Sequence, residues 1–177
     1  IDALDRGMQV ILLRKGGIHE EGRAFSLLHQ QFLLFPTFDH QGADLLKPEF
    51  RSQLYTDCEN PYPEKDVLFS HWAQVIETIT VTDQSKLDQI SECHIWSEDY
   101  ALKRLHWKPR YPLYLFVLRV YRLEQPQNVA YVSEYSGCRS WVNLKKDVPL
   151  GRLSPVLNDD HFHTLAMKIK NVVIDIT

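Results

Sequence analysis

The sequence predicts an α+β domain, a small curved mixed sheet or pseudo-barrel flanked by helices. Three observations carry this. The strand-like runs are rich in branched apolar residues, and several are apolar on both faces. Helical segments of uneven length separate them, which does not fit the regular βα units of a doubly wound sheet. At 177 residues, 44% hydrophobic and 24% charged, the chain has the composition of one ordinary globular domain. Residues 1–177 are therefore read as a single domain, with a barrel-like core over about 7–145 and a C-terminal helix over about 158–174.

Residues 1–5 read as the end of a helix stopped by Gly7, and residues 8–14 as a strand ended by Gly16-Gly17. A second strand is expected within 25–35, stopped by Pro36. Residues 42–55 carry Leu45, Leu46, Phe50 and Leu54 near helical spacing, with Pro48 as the complication. A long strand follows at 67–81. Asp83 caps a short helix with Leu87 and Ile90 inward. Ser97 caps another, with Ala101, Leu102 and Leu105 inward. Pro109 and Pro112 end that helix and launch the longest strand, 113–123. Residues 124–137 read as a loop and 140–144 as a short strand. Asn158 caps the last helix, whose stripe is Phe162, Leu165, Ala166, Ile169, Val172 and Val173.

The net charge of −3 excludes indiscriminate coating of nucleic acid or of anionic membranes. Its distribution is uneven. Residues 103–122 hold six Lys and Arg and no acid, so this stretch is +6 and the remainder −9. Trp107, Tyr111, Tyr114, Phe116 and Tyr121 are interleaved with the cations. Cations hold phosphates and rings stack on bases; a strand buried on both faces would also carry these rings. No apolar run is long enough to span a membrane. Three cysteines without CxxC spacing, and no secretory signal, fit a cytoplasmic protein.

Several constellations are candidate contacts. Arg14-Lys15-Gly16-Gly17 places two cations at a strand end beside a turn that exposes backbone N–H groups, which suits a phosphate. Gly137-Cys138-Arg139-Ser140-Trp141 combines close backbone approach, a planar donor fork and a stacking ring. His94 and Trp96 offer a polar contact and a ring, or a core pair, and Arg119 is a further phosphate candidate. His29 and His40 can line a cleft near the second strand. Asp159, Asp160, His161 and His163 are metal-ligand types, but positions 161 and 163 diverge by about 200° on a helix. No metal or cofactor is expected.

The segments Leu12-Leu13-Arg14-Lys15-Gly16-Gly17-Ile18, Phe32-Leu33-Leu34-Phe35-Pro36-Thr37, His94-Ile95-Trp96, Leu118-Arg119-Val120-Tyr121-Arg122-Leu123 and Gly137-Cys138-Arg139-Ser140-Trp141 resemble the bacterial, cyanobacterial-type domain-of-unknown-function family 1802. The resemblance spans residues 7 to about 145. It implies no established activity, only a loose association with restriction-modification genes. The order of elements is similar to the PUA, ASCH and EVE pseudo-barrels, which implies recognition of RNA or a modified base in a cleft. Gly7-Met8-Gln9 stands where ASCH-like domains carry a Gly-x-Lys-like opening, without the lysine.

A restriction-type nuclease needs an acid two residues before a lysine, and the chain has no [DE]-x-Lys. The nearest forms, Glu21-Gly22-Arg23 and Glu49-Phe50-Arg51, end in arginine, which cannot titrate as a base. HExxH, GxSxG, P-loop and Rossmann patterns are missing from the sequence. The leading expectation is a non-enzymatic module binding RNA or DNA, with no catalytic residue. Its contacts are Arg14, Lys15, His94, Trp96, Arg119, Arg139, Ser140 and Trp141. The alternative is a metal-dependent nuclease or nucleotide-processing enzyme with Glu20, Glu21 or Glu77 as carboxylates. A third reading is a protein-partner domain without nucleic acid.

Overall fold

Two long strands form the spine. A computed structural model describes residues 1–15, 29–36, 42–53, 66–107, 112–135 and 141–173, with the backbone alone at Lys15 and Gln53. Strand β3 (Asp66–Val81) pairs antiparallel with β4 (Leu113–Ala130) along almost its whole length. β1 (Ile11–Lys15) pairs with the first residues of β4, and β5 (Leu153–Pro155) pairs with residues 121–123 on the same strand. β2 (Gln31–Leu33) lies along β3. The order is β1-β4-β3-β2, with β5 beside β4.

The α+β class stands. The expected mixed sheet does not: every strand pairing among the described residues is antiparallel, and the five strands form an open sheet. The reason lies in the connection 82–112. Its described part, 82–107, folds two helices onto one face, and β4 then runs beside β3 in the opposite sense, where a parallel return needs a crossover to the other end.

One face carries Ile11, Leu13, Ile79, Val81, Leu113, Leu115 and Val117. It packs against α2 (Gln84–Gln89), α3 (Glu98–His106) and α4 (Asp159–Val173) through Leu87, Ala101, Ile169 and Val173. The other face carries Ala73, Val75, Phe116, Leu118 and Val120, capped by Leu4 of α1 (Asp2–Asp5) and by Phe32, Trp141 and Val156. β4 is therefore apolar on both faces from residue 113 to 118, which is why its sequence shows no alternation.

The caps follow the sequence reading. Asp83 Oδ1 accepts from Ser85 N at 2.8 Å, Ser97 Oγ from Tyr100 N at 3.3 Å, and Asn158 Oδ1 from His161 N at 2.9 Å. Gly7 ends α1 at φ +67°, and a Cβ there would lie 2.5 Å from Leu157 Cδ2.

Four expectations are corrected. The helix expected over 42–55 is two 3-10 segments, Ala43–Leu45 and Pro48–Gln53. Pro48 has no N–H to donate, so it interrupts one segment and starts the next. The loop expected from residue 124 is strand as far as Ala130, paired with residues 66–69. Pro126 falls in the register shift opposite Ser70, where the ladder needs no donor from it, while Gln127 and Asn128 pair with Phe69 and Leu68. The strand expected over 140–144 is irregular at 141–144, and Ser140 lies outside the described residues. The strand on that side is β5, continued by a bond from Val156 N to Val120 O at 3.0 Å. Finally, the first strand begins at Ile11, because Met8 N and Gln9 N still bond back to Ala3 O.

Candidate nucleic-acid interface

Side chains alternate along β1, so Leu12 and Arg14 share the Phe116 face while Leu13 joins the helical layer. Arg14 thus ends a row of apolar residues, opposite Tyr114 of β4. It is half-buried. Its guanidinium carbon lies 5.9 Å from the Trp141 ring centre. Trp141 meets Phe32 edge-on at 4.8 Å and His29 at 5.9 Å. Burial, and then the charge of Arg104, lower the pKa of Arg14 from its ordinary value, while Tyr100 opposes them. An arginine stays protonated regardless. Two cations are therefore held near each other, and among the described residues neither has a carboxylate ion-pair partner.

Arg104 is placed by α3. Tyr100, Arg104 and Trp107 follow at i, i+4 and i+7, which puts them along one side of the helix and its C-cap. The Arg104 carbon lies 5.6 Å from the Tyr100 ring and 5.6 Å from the Trp107 ring. Its Nε donates to Tyr100 Oη at 3.1 Å. Tyr100 meets Trp96 at 5.9 Å, and Trp96 meets His94 at 5.2 Å. The result is two groups of rings, His29, Phe32 and Trp141 around Arg14, and His94, Trp96, Tyr100 and Trp107 around Arg104, with the two arginines close enough for their charges to act on each other.

The start of α3 is tied to the 3-10 segments. Ser97 N donates to Leu45 O at 2.9 Å, Ser97 Oγ to Asp44 O at 3.0 Å, and Lys47 N to Ile95 O at 3.0 Å. Lys47 Nζ donates to Ser91 O and His94 O. Buried Gln9 receives Ile95 N at 3.2 Å.

The other candidates divide. His94 is 3% exposed, and neither ring nitrogen has a hydrogen-bond partner. Burial and then the Lys47 charge push its pKa down to about 4, with the Trp96 backbone acting weakly the other way. It belongs to the group around Arg104 as a neutral ring. Trp96 is half-buried against the helical core. Arg119 is buried, 4.6 Å from the Phe162 ring, with Nη2 donating to Asp159 Oδ1 at 2.6 Å. Its charge is paired with the Asp159 carboxylate in the first turn of α4. Lys15 closes β1, its side chain undescribed, while Gly16, Gly17, His40, Cys138, Arg139 and Ser140 lie outside the described residues.

The sequence reading missed Tyr100 and did not single out Arg104. The i, i+4, i+7 pattern was the available signal, and reading the helix for its apolar stripe hid it. The basic stretch is also less uniform in space than in sequence. Arg119 pairs with Asp159 and Arg122 with Asp5, so among the described residues of the stretch only the cations of α3 lack a carboxylate ion pair, while Lys108 and Arg110 lie outside the described residues. Glu77, a nuclease candidate, is ion-paired to Lys170 at 3.0 Å. Glu20 and Glu21 lie outside the described residues. Among the described residues no cluster of three or more His, Cys, Asp and Glu could hold a metal, and no helix is long and apolar enough to cross a membrane.

A second polar cluster joins α1 to the ribbon. His71 Nε2 lies 2.7 Å from Asp5 Oδ1, and Ser70 Oγ lies 2.8 Å from His71 Nδ1. The order resembles a nucleophile relay, but Arg122 binds both the carboxylate and the main-chain carbonyl of Asp5. The cluster is best accounted for as a clamp. Burial works against ionisation of Asp5, yet hydrogen bonds from His71 and Arg122 hold its pKa below the usual carboxylate value.

The sequence pattern of the family described as "Domain of unknown function (DUF1802)" matches residues 1–168. The chain belongs to that family. No curated protein and no solved structure matches it significantly. The rings and arginines on this DUF1802 domain thus have to be interpreted from their own chemistry.

Proposed function

We propose that this DUF1802 domain is a nucleic-acid-binding module whose contact surface is formed by Arg14, Arg104 and their surrounding rings. The observation that carries the reading is the half-buried Arg14, held beside a second arginine and against Trp141 without a carboxylate partner among the described residues. Such a charge is costly in isolation and is relieved by an anion. Aromatic neighbours select an anion that brings a π-face with it, and a nucleotide does. Lys15, Arg139 and Ser140 belong to this reading as further phosphate contacts.

The test is fluorescence anisotropy with labelled DNA and RNA, with and without magnesium, followed by a denaturing gel. Binding without cleavage is expected. Arg14→Ala and Arg104→Ala should each weaken it about tenfold, the loss of one charge-assisted contact. Binding that ignores both substitutions removes the proposal, and magnesium-dependent cleavage replaces it with the nuclease reading.

A further inference from the structure

We propose that the last third of β3 pairs edge to edge with the same segment of a second copy of this chain, joining two sheets across a two-fold axis. Among the described residues, β2 covers β3 only as far as the bond from Val75 N to Gln30 O at 2.7 Å. Ile76 then lies in a register shift, and His29 meets the Trp141 ring at 5.9 Å. The direction of the main chain beyond that point follows from the pairing with β4. Leu118 N donates to Val10 O at 2.7 Å, so Leu118 bonds toward β1, and by alternation Phe116 and Tyr114 do the same. Val117, Leu115 and Leu113 therefore bond to β3, opposite Glu77, Ile79 and Val81. The N–H and C=O groups of Thr78 and Thr80 point the other way, off the edge of the sheet. No described residue bonds to them there, and Thr80 is exposed.

A second copy supplies what this edge lacks. Antiparallel pairing about a two-fold axis sets Thr78 against the partner's Thr80, and Thr80 against the partner's Thr78, so each outward N–H meets an outward C=O. The same register places threonines opposite each other on the face that carries Phe116, a favourable cross-strand pair. Charge is compatible with the seam. Glu77 is the one charged residue of 76–81, and Lys170 of α4 neutralises it at 3.0 Å, so no unpaired like charges are set together. Met167 precedes Lys170 by one turn on the same side of α4 and is 40% exposed, and Ile76 is 50% exposed. The two-fold brings both α4 helices to one side of the joined sheet, where the second copy covers these side chains. The irregularity at Ile76 and the α2 N-cap at Asp83 bound the open segment at both ends, which favours a closed pair over a growing fibre. The proposal is independent of the nucleic-acid reading.

The experiment is sedimentation velocity of the full chain over about 1–100 μM, where a short edge interface should give a monomer–dimer equilibrium. Thr80→Pro removes the outward N–H without touching a bond to β4, and it should leave a monomer with unchanged circular dichroism. Thr80→Val keeps the main chain and should still dimerise. Amide hydrogen exchange in the parent needs no variant, so it decides the matter even where Thr80→Pro does not fold. The Thr78 and Thr80 amides should exchange at least about tenfold more slowly at the top of the concentration range than at the bottom. A dimer that survives Thr80→Pro and leaves these amides unprotected has its interface elsewhere and overturns the proposal. A monomer at every concentration overturns it as well. Freely exchanging amides in that monomer leave the edge to a strand of another protein, and protected ones show that a further part of this chain covers it.

Discussion

His94 ties stability to pH in a way that can be worked out from its surroundings. Its ring is buried among Trp96, the core under α3 and the Lys47 ammonium, and its pKa falls from 6.5 to about 4. The folded chain therefore keeps the ring neutral where the unfolded chain protonates it. More protons bind to the unfolded state between these values, so stability falls as pH drops below 6.5 and stops falling near 4. The full span is worth about 3 kcal/mol, and the step from pH 7 to pH 5 about 2 kcal/mol. In urea, with a slope of about 2 kcal/mol/M, that step lowers the midpoint by about 1 M. His94→Leu isolates the effect from the other histidines. The variant should lose most of the pH 5–7 dependence and match or exceed the parent at pH 7, because two unpartnered ring nitrogens leave the core. Oligonucleotide binding should persist at pH 7. Parallel pH profiles for parent and variant would refute the buried neutral ring. Loss of binding with unchanged stability would make His94 a ligand contact instead.

Three further outcomes are expected. Arg14→Met should weaken oligonucleotide binding yet raise the urea midpoint, by about 1 kcal/mol of stability, because it removes an unpaired half-buried charge while keeping the stem's bulk; a lower midpoint would show that Arg14 is structural. Asp159→Ala should lower stability only modestly, because the carboxylate is exposed, and a cycle with Arg119→Met should show that the two act as a pair. Neither substitution should change nucleic-acid affinity by more than about twofold, and a large loss would return Arg119 to the ligand surface. Asp5 has a folded pKa below 3.8, so its contribution is present above that value and is lost as pH falls through the folded one. Asp5→Asn should accordingly lower stability at neutral pH and flatten the acid limb of the unfolding curve, and an unchanged limb would deny the His71–Arg122 clamp.

Much of the architecture was legible because it depends on local chemistry. Two-sided apolar runs gave β3 and the first half of β4. Asp83, Ser97 and Asn158 marked helix starts, since a capping side chain acts within three residues of its own position. Gly7 and Pro112 marked stops. The second half of β4 was hidden because its strand character comes from its partner at 66–69 rather than from its own polar residues. β5 is three residues long and exists only through bonds to β4. Antiparallel pairing likewise belongs to the path of the chain and to no residue type.

The site shows the same division. Composition alone located a basic, ring-bearing stretch at 103–122 and the candidates Arg14, Trp96 and Trp141. Only the tertiary structure decided which of these charges are free to act. Arg119 and Arg122 meet carboxylates 40 and 117 residues away, while Arg14 and Arg104 lie against aromatic rings. The cause is the long range of chain return. Local sequence sets which groups an element carries and which way they face, whereas the element packed against it sets which charges are neutralised.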